Sequence, residues 1–140
     1  MPQFPSREWM EAMSSGLKAH PEAPDVAGVL DGVYRFVVTP GGPLETEHAY
    51  DIAIGVAESD ADPVIVQVLE QPSDPRVTLT ANYLRWKQLI TGGLDPMMAV
   101  MLRQLRITGD ISHLRSGGLA SAKPLLDTLK TVDTQWLDNT

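Results

Sequence analysis

The side chains that could do chemistry are few and scattered. Histidine occurs three times, at His20, His48 and His113. No two of them are four residues apart, and none lies beside a cluster of other strong metal ligands. Asp110, Ser112 and His113 are close enough to suggest nucleophilic catalysis, but the sequence around them lacks the strained turn of a hydrolase elbow. Capping of a helix by Asp110 or Ser112 explains this group more simply. The sequence therefore predicts neither a metal site nor a catalytic site.

Loops that could hold an ion or a phosphate are also weak candidates. The acidic turn with Glu58, Asp60 and Asp62 lacks the glycine and the closing glutamate of an EF-hand loop. The glycine pairs 41–42, 92–93 and 117–118 lack the spacing of a phosphate-binding loop, and none is followed by its lysine. We interpret these segments as solvated turns and caps, and we predict a protein without cofactor or enzymatic activity.

The composition predicts one folded domain over residues 1–140, with 43% hydrophobic and 21% charged residues. The net charge of −7 repels nucleic-acid backbones and anionic lipid surfaces at long range. We therefore expect no nucleic-acid partner and no stable membrane insertion. The first eight residues carry charges and prolines in place of an apolar signal core, so we expect a cytoplasmic location.

The first half of the chain has the pattern of a helix followed by strands. Ser6 opens a helix with an apolar stripe of Trp9, Met10, Met13 and Leu17. A short helix near residues 24–30 follows. Strands are predicted over 33–39, 45–56, 64–69 and 77–80. The second of these alternates, with Tyr50, Ile52, Ile54 and Val56 on one face. We predict a mostly antiparallel meander.

The second half is mainly helical. Tyr83, Trp86, Leu89 and Ile90 have helical spacing, and Gly92 would end that helix. Asp95-Pro96 would begin a second helix carrying Met97, Met98 and Met101. A last strand is predicted at Leu105 and Ile107, and a C-terminal helix with Leu119, Leu126, Leu129, Val132 and Trp136. Strands followed by helices indicate an α+β fold with the helices on one face of the sheet.

Two longer motifs resemble the sterol carrier protein 2 family. They are YLRWKQLITGGLDP at residues 83–96 and LRITGD at 105–110, preceded by a strand, RVTLT, at 76–80. The resemblance covers about residues 30–129. The chain departs from the family pattern at Leu102-Arg103-Gln104, where the family commonly has a small residue, glycine and lysine.

The resemblance implies a five-stranded mostly antiparallel sheet, covered on one face by helices, that encloses an apolar tunnel for a fatty acid, acyl chain, sterol or similar lipid. Methionine adapts to ligand shape, although an ordinary core uses the same residues. The implied lipid-binding residues are Phe36, Val38, Ile52, Ile54, Trp86, Leu89, Ile90, Met97, Met98, Met101, Leu105, Ile107, Leu126 and Leu129. The alternative is a dimerising accessory module for a lipid- or polyprenyl-modifying enzyme, in which its own or a partner's helix fills the groove. Trp136 is the residue to follow for that alternative.

Overall fold

The computed structural model describes residues 2–29, 31–56, 64–71, 74–110 and 127–137. The order of the described elements is β1 (Gln3–Phe4), α1 (Arg7–Lys18), α2 (Ala23–Val29), β2 (Gly32–Thr39), β3 (His48–Val56), β4 (Val64–Val68), β5 (Val77–Asn82), α3 (Tyr83–Thr91), α4 (Pro96–Met101), β6 (Arg106–Gly109) and β7 (Gln135–Trp136). The predicted α+β class is confirmed, and most predicted boundaries lie within a few residues of the observed ones.

The main sheet has five strands in the order β4-β3-β2-β5-β6. Three of its neighbouring pairs are antiparallel and one, β2 with β5, is parallel. The predicted meander is therefore right for β2 to β4 and wrong for β5, which does not pair with β4. The chain crosses back after β4 and places Val77 opposite Tyr34 of β2. Strand periodicity describes the faces of a strand but carries no information on which neighbour it selects.

The sheet has two chemically different faces. The covered face carries apolar side chains that share one core with the helices, including Tyr34, Phe36 and Ile52 in neighbouring positions. The open face carries alternate residues of the same strands, such as Arg35, Asp51 and Thr78. Val56 shares the predicted face of Tyr50, Ile52 and Ile54, but it ends its strand and is 59% exposed.

The N-terminal helix α1 packs its apolar stripe on the covered face, mainly against β4. The Ser6 hydroxyl accepts a hydrogen bond of 3.1 Å from the Trp9 backbone nitrogen, so the predicted N-cap is confirmed. All four residues of the predicted stripe are buried: Trp9, Met10, Met13 and Leu17. Helix α1 thus covers the part of the core that lies over β3 and β4.

The predicted C-terminal helix is wrong at its end. Trp136 lies in β7, which pairs in parallel with β1 and places Trp136 opposite Phe4. The Trp9 indole nitrogen donates to the Thr134 hydroxyl at 2.9 Å, which holds this segment against α1. Val132 follows the turn after the helical residues 127–129 and is not helical. Leu119 and Leu126 lie outside the described residues.

The reason for this error is an aromatic contact that is distant in sequence. The Trp136 ring lies 5.7 Å from the Phe4 ring and 6.3 Å from the Tyr83 ring, in edge-to-face geometries. The Lys87 ammonium lies 5.4 Å from the centre of the same indole. These tertiary contacts outweigh the local helical spacing of the last apolar residues.

Candidate functional site

Most of the predicted lipid-binding residues lie together in one buried core between the covered face and the helices. The buried members are Phe36, Val38, Ile52, Ile54, Trp86, Leu89, Ile90, Leu105 and Leu129. Ile107 is partly buried and packs against this core. Residues from the sheet, from α3 and from the C-terminal part of the chain therefore meet in one apolar layer.

Trp86 fixes helix α3 on the sheet. Its indole nitrogen donates to the Val37 carbonyl oxygen at 2.9 Å in a buried position, and its ring lies 5.9 Å from the Phe36 ring. The Asn82 side chain caps the start of α3, and Gly92 ends it with a φ of +86°. The glycine is required there because side chains disfavour this left-handed conformation.

Two of the predicted methionines, Met98 and Met101, do not join this layer. Met98 is 47% exposed and Met101 is 75% exposed, whereas Ala99 between them is buried in the core. Helix α4 therefore faces the core through Ala99 and presents these two methionines to the solvent. The side chain of Met97 and all of Leu126 lie outside the described part of the chain.

Two buried residues that adjoin the apolar layer carry hydroxyl groups, Tyr34 and Ser14. The Tyr34 hydroxyl and the Ser14 hydroxyl are buried, and neither has a hydrogen-bond partner among the described residues. Burial raises the pKa of Tyr34 to about 12, so its phenol stays protonated at neutral pH. The sequence pattern predicts Tyr34 only as a residue of the strand over 33–39. The signal available was a tyrosine at an inward position of an apolar strand.

The open face carries a separate groove of about 730 Å³, whose lining includes Arg35, Val37, Asp51, Thr78 and Thr80. Arg35 donates from Nε to Asp51 Oδ1 at 2.7 Å and from Nη2 to Oδ2 at 3.0 Å. These hydrogen bonds raise the pKa of Arg35 above its usual value. The two-point pairing engages the guanidinium with Asp51, so the groove does not present it as an open anion site. No local pattern of the sequence predicts this groove.

The comparison with known proteins decides the family. The SCP-2 sterol transfer family matches residues 14–116, which include all strands of the main sheet and helices α2 to α4. The chain belongs to the SCP-2 sterol transfer family. Lipid binding or transfer is the general role of that family, and the resemblance noted from the two motifs is confirmed.

Solved structures show the same fold at low sequence identity. A crystal structure of sterol carrier protein 2 has a TM-score of 0.67 at 17% identity and covers 91% of this chain and 98% of its own. A solution structure of a Thermus thermophilus protein has a TM-score of 0.67 at 17% identity, covering 93% and 90%. The SCP2 structure of the ubiquinone synthesis protein UbiJ has a TM-score of 0.52 at 18% identity, covering 85% and 90%. Among curated proteins, none matches this sequence.

In this SCP-2 family member the Gly109-Asp110 motif links the last strand of the main sheet to its neighbour. Asp110 accepts a hydrogen bond of 3.1 Å from Arg76 Nε, and Arg76 also donates to the Asp31 carbonyl oxygen. Gly109 has a φ of +105° and lies directly against the Arg76 backbone. The motif therefore joins the ends of β5 and β6. Ser112 and His113, the other members of the predicted group, lie outside the described residues.

Two further polar candidates, His48 and His20, have structural partners, whereas Glu58, Asp60 and Asp62 lie outside the described residues. His48 Nδ1 lies 3.1 Å from the Tyr50 hydroxyl, and His20 Nδ1 accepts from the Glu22 backbone nitrogen at 3.0 Å. In the described ranges no group of three or more His, Cys, Asp or Glu residues could hold a metal ion. None of the helices in those ranges is long and apolar enough to cross a bilayer.

Proposed function

We propose that this protein binds and carries one apolar lipid, a fatty acid, acyl chain, sterol or similar molecule, without catalysing a reaction. The observation that supports it best is the continuous apolar layer between the covered face and the helices, which brings distant predicted residues together. Each methylene of an acyl chain buried there contributes about 0.8 kcal/mol, so roughly ten methylenes suffice for micromolar binding before ordering costs.

The unpartnered Tyr34 hydroxyl supplies a specific contact for the proposal. A buried hydroxyl without a hydrogen bond costs about 1–3 kcal/mol, and a hydroxyl, carbonyl or carboxyl group of a lipid would remove that cost. Tyr34 lies on the covered face opposite Ile52, next to the apolar residues that would contact the chain of the lipid. The proposed ligand therefore has one polar end and a long apolar part.

Native mass spectrometry of the purified full chain, followed by solvent extraction and lipid identification, tests the proposal. A defined lipid at one per chain supports the carrier function and gives the ligand class. Chains that carry no lipid and take up neither fluorescent fatty acids nor fluorescent sterols contradict it.

Two conservative variants test the role of Tyr34. Tyr34→Phe should weaken binding of a polar-ended lipid by about threefold to tenfold, the value of one hydrogen bond. The matched control is Tyr50→Phe, because the Tyr50 hydroxyl already has His48 as a partner. Equal affinities in Tyr34→Phe and the wild type would place the polar end of the lipid elsewhere.

The second candidate is an accessory module that acts through assembly. The C-terminal segment already packs on helix α3 and strand β1 of its own chain. The Leu137 backbone nitrogen donates to the Tyr83 hydroxyl at 3.0 Å, and Trp136 contacts Phe4. A related structure belongs to a ubiquinone synthesis protein. A dimeric native mass that becomes monomeric on truncation after Thr131, together with no lipid uptake by the full chain, would favour this candidate.

A further inference from the structure

Strand β4 is one edge of the main sheet, and its outer side has no hydrogen-bond partner among the described residues. The Leu69 backbone nitrogen donates to the Asp51 carbonyl oxygen at 2.9 Å, which fixes the hydrogen-bonding phase between β3 and β4. Alternate residues of β4 therefore bond to β3, and the N–H and C=O groups of Val64, Val66 and Val68 point outward at the edge. Such an edge is a template for an additional strand.

The sequence of β4 lacks the features that usually protect an edge. Natural edge strands carry charged residues, prolines or bulges that discourage pairing with another chain. Val64–Val68 reads VIVQV and pairs with β3 in a continuous register. Ile65 is 37% exposed, and Val56, which pairs with Val64, is 59% exposed. An added strand therefore gains apolar contacts as well as backbone hydrogen bonds at this edge.

The groove on the open face continues from the end of β4. Strand β4 ends at Val68, before it reaches the first residues of β3, so the described part of the sheet gives Ala49 no partner on that side. The groove of about 730 Å³ lies there, and its lining includes Ala49, Val68, Glu47 and Glu70. We call the outer edge of Val64–Val68, together with these groove residues, the β4 docking surface.

The β4 docking surface lies in the most acidic stretch of the chain. Residues 44–75 contain eight Asp or Glu residues and no Lys or Arg. The eight are Glu45, Glu47, Asp51, Glu58, Asp60, Asp62, Glu70 and Asp74. The whole chain has 18 acidic and 11 basic residues, so the remainder has ten acidic and 11 basic residues, a net charge of +1. The whole excess of negative charge therefore comes from this stretch.

Two cations from other parts of the chain offset only part of this charge. Arg35 is paired with Asp51, and Arg7 Nη2 lies 3.7 Å from Glu70 Oε1. Arg7 also pairs with a carboxylate of its own helix, so its charge is shared. Glu70 has a side chain that is 81% exposed, and the exposed Glu47 makes no ion pair within the described ranges. The surface therefore keeps a negative potential that attracts cationic side chains.

We propose that the β4 docking surface binds an extended basic segment of a partner protein, which adds to β4 as a further strand of the sheet. The segment pairs with the outward backbone groups of β4, and its Lys or Arg side chains contact Glu47 and Glu70. A second copy of this chain does not fit, because it brings the same acidic stretch against itself. The interaction uses the sheet edge and the open face, so it does not require a lipid in the core.

Fluorescence anisotropy with the full chain tests the proposal. The probe is a labelled peptide of about nine residues in which lysine alternates with valine or threonine. One control peptide has glutamate in place of lysine, which reverses its charge. A second keeps the lysines but has proline in place of the valines and threonines, which removes backbone donors. The probe should bind at least about tenfold more tightly than either control, and its affinity should fall at high salt.

Amide hydrogen exchange locates the added strand. In the protein alone, the amides of Val64, Val66 and Val68 should exchange faster than those of Ile65 and Gln67, which bond to β3. The bound probe should slow exchange at the three valines by about tenfold, the value of one hydrogen bond, and leave the opposite edge β6 unchanged. Binding of the probe without protection of these valines would overturn strand addition.

The double variant E47Q/E70Q tests the charge contacts. Both side chains are exposed, so the fold is kept, and affinity for the probe should fall by about threefold to tenfold. The matched control E22Q/D133N removes the same charge from exposed positions outside residues 44–75 and should bind as the wild type does.

Four results would overturn the proposal: no binding of the probe, equally tight binding of the proline peptide, equal loss in both double variants, or a dimer of this chain that protects the same three valines. Lipid uptake is measured separately, so failure of this docking and failure of the carrier function are distinguishable.

Discussion

Replacement of Gly109 by alanine should be one of the most damaging small substitutions in this protein. A Cβ at this position would lie 2.4 Å from the Arg76 carbonyl oxygen and 3.1 Å from the Val77 Cα. Both atoms belong to the backbone at the start of the neighbouring strand β5: Arg76 directly precedes the strand, and Val77 is the pairing partner of Gly109. Relief of the contact therefore requires β6 to move away from β5. Strain at φ +105° adds about 1–3 kcal/mol, so the total loss of unfolding free energy should be on the order of 3–5 kcal/mol.

Two other glycines separate the strain from the clash. Gly92→Ala has a φ of +86° but nothing within 4 Å of the added Cβ, so it should lose only about 1–2 kcal/mol. Gly28→Ala lies in α2 with open space and no positive φ, so it should gain up to about 1 kcal/mol. Urea unfolding followed by circular dichroism gives all three values. If Gly109→Ala loses no more than Gly92→Ala, the contact with the Arg76 carbonyl does not govern the position and our reasoning is wrong.

Four further measurements address the polar groups of the two sheet faces. Without lipid, Tyr34→Phe should leave the unfolding free energy unchanged or raise it by about 1 kcal/mol, because it removes a buried unpartnered hydroxyl; a loss above that size in urea unfolding would reveal a partner. Unfolded tyrosine ionises near pH 10, whereas the pKa of Tyr34 in the folded protein is raised to about 12. The contribution of Tyr34 to the free energy of unfolding is therefore fully present below about pH 10, and it falls by about 3 kcal/mol as the pH rises towards 12. Tyr34→Phe should therefore lose less stability than the wild type between about pH 10 and pH 12. Arg35→Ala should lower the free energy of unfolding by about 1–2 kcal/mol more than Asp51→Ala does. The reason is that the Asp51 side chain left by the first variant is 5% exposed, whereas the Arg35 side chain left by the second is 30% exposed. Equal losses in thermal unfolding would contradict this. Trp86→Phe should cost about 2–4 kcal/mol, since it removes packing volume and the indole hydrogen bond to the Val37 carbonyl. Near-wild-type stability in chemical denaturation would show that this hydrogen bond is dispensable.

Spacing and family resemblance predict some of the buried lipid-binding candidates correctly and others not. Phe36, Ile52 and Trp86 were chosen from strand and helix spacing and from the family resemblance, and they share one buried core. Met98 and Met101 satisfied the same spacing rule but lie on the outer side of α4. A six-residue helix between apolar neighbours has too few turns for periodicity to select which side is buried.

Polar pairings within the sheet were not predictable from local pattern. The ion pair of Arg35 and Asp51 joins residues on adjacent strands, and it depends on a register that periodicity does not specify. That the Tyr34 hydroxyl has no hydrogen-bond partner likewise follows only from the positions of the atoms around it in the tertiary structure. Both features follow from the three-dimensional neighbourhood of each atom.

Sequence by itself determined the local elements and the family. Ser6, Gly92 and Asp95 marked helix ends correctly, because caps depend on a few adjacent residues and their backbone angles. The tertiary structure alone decided that β5 pairs with β2 and that Trp136 leaves the helix to pair as β7. These choices depend on contacts between residues far apart in the chain, whose free energies exceed local preferences and leave no short-range signal.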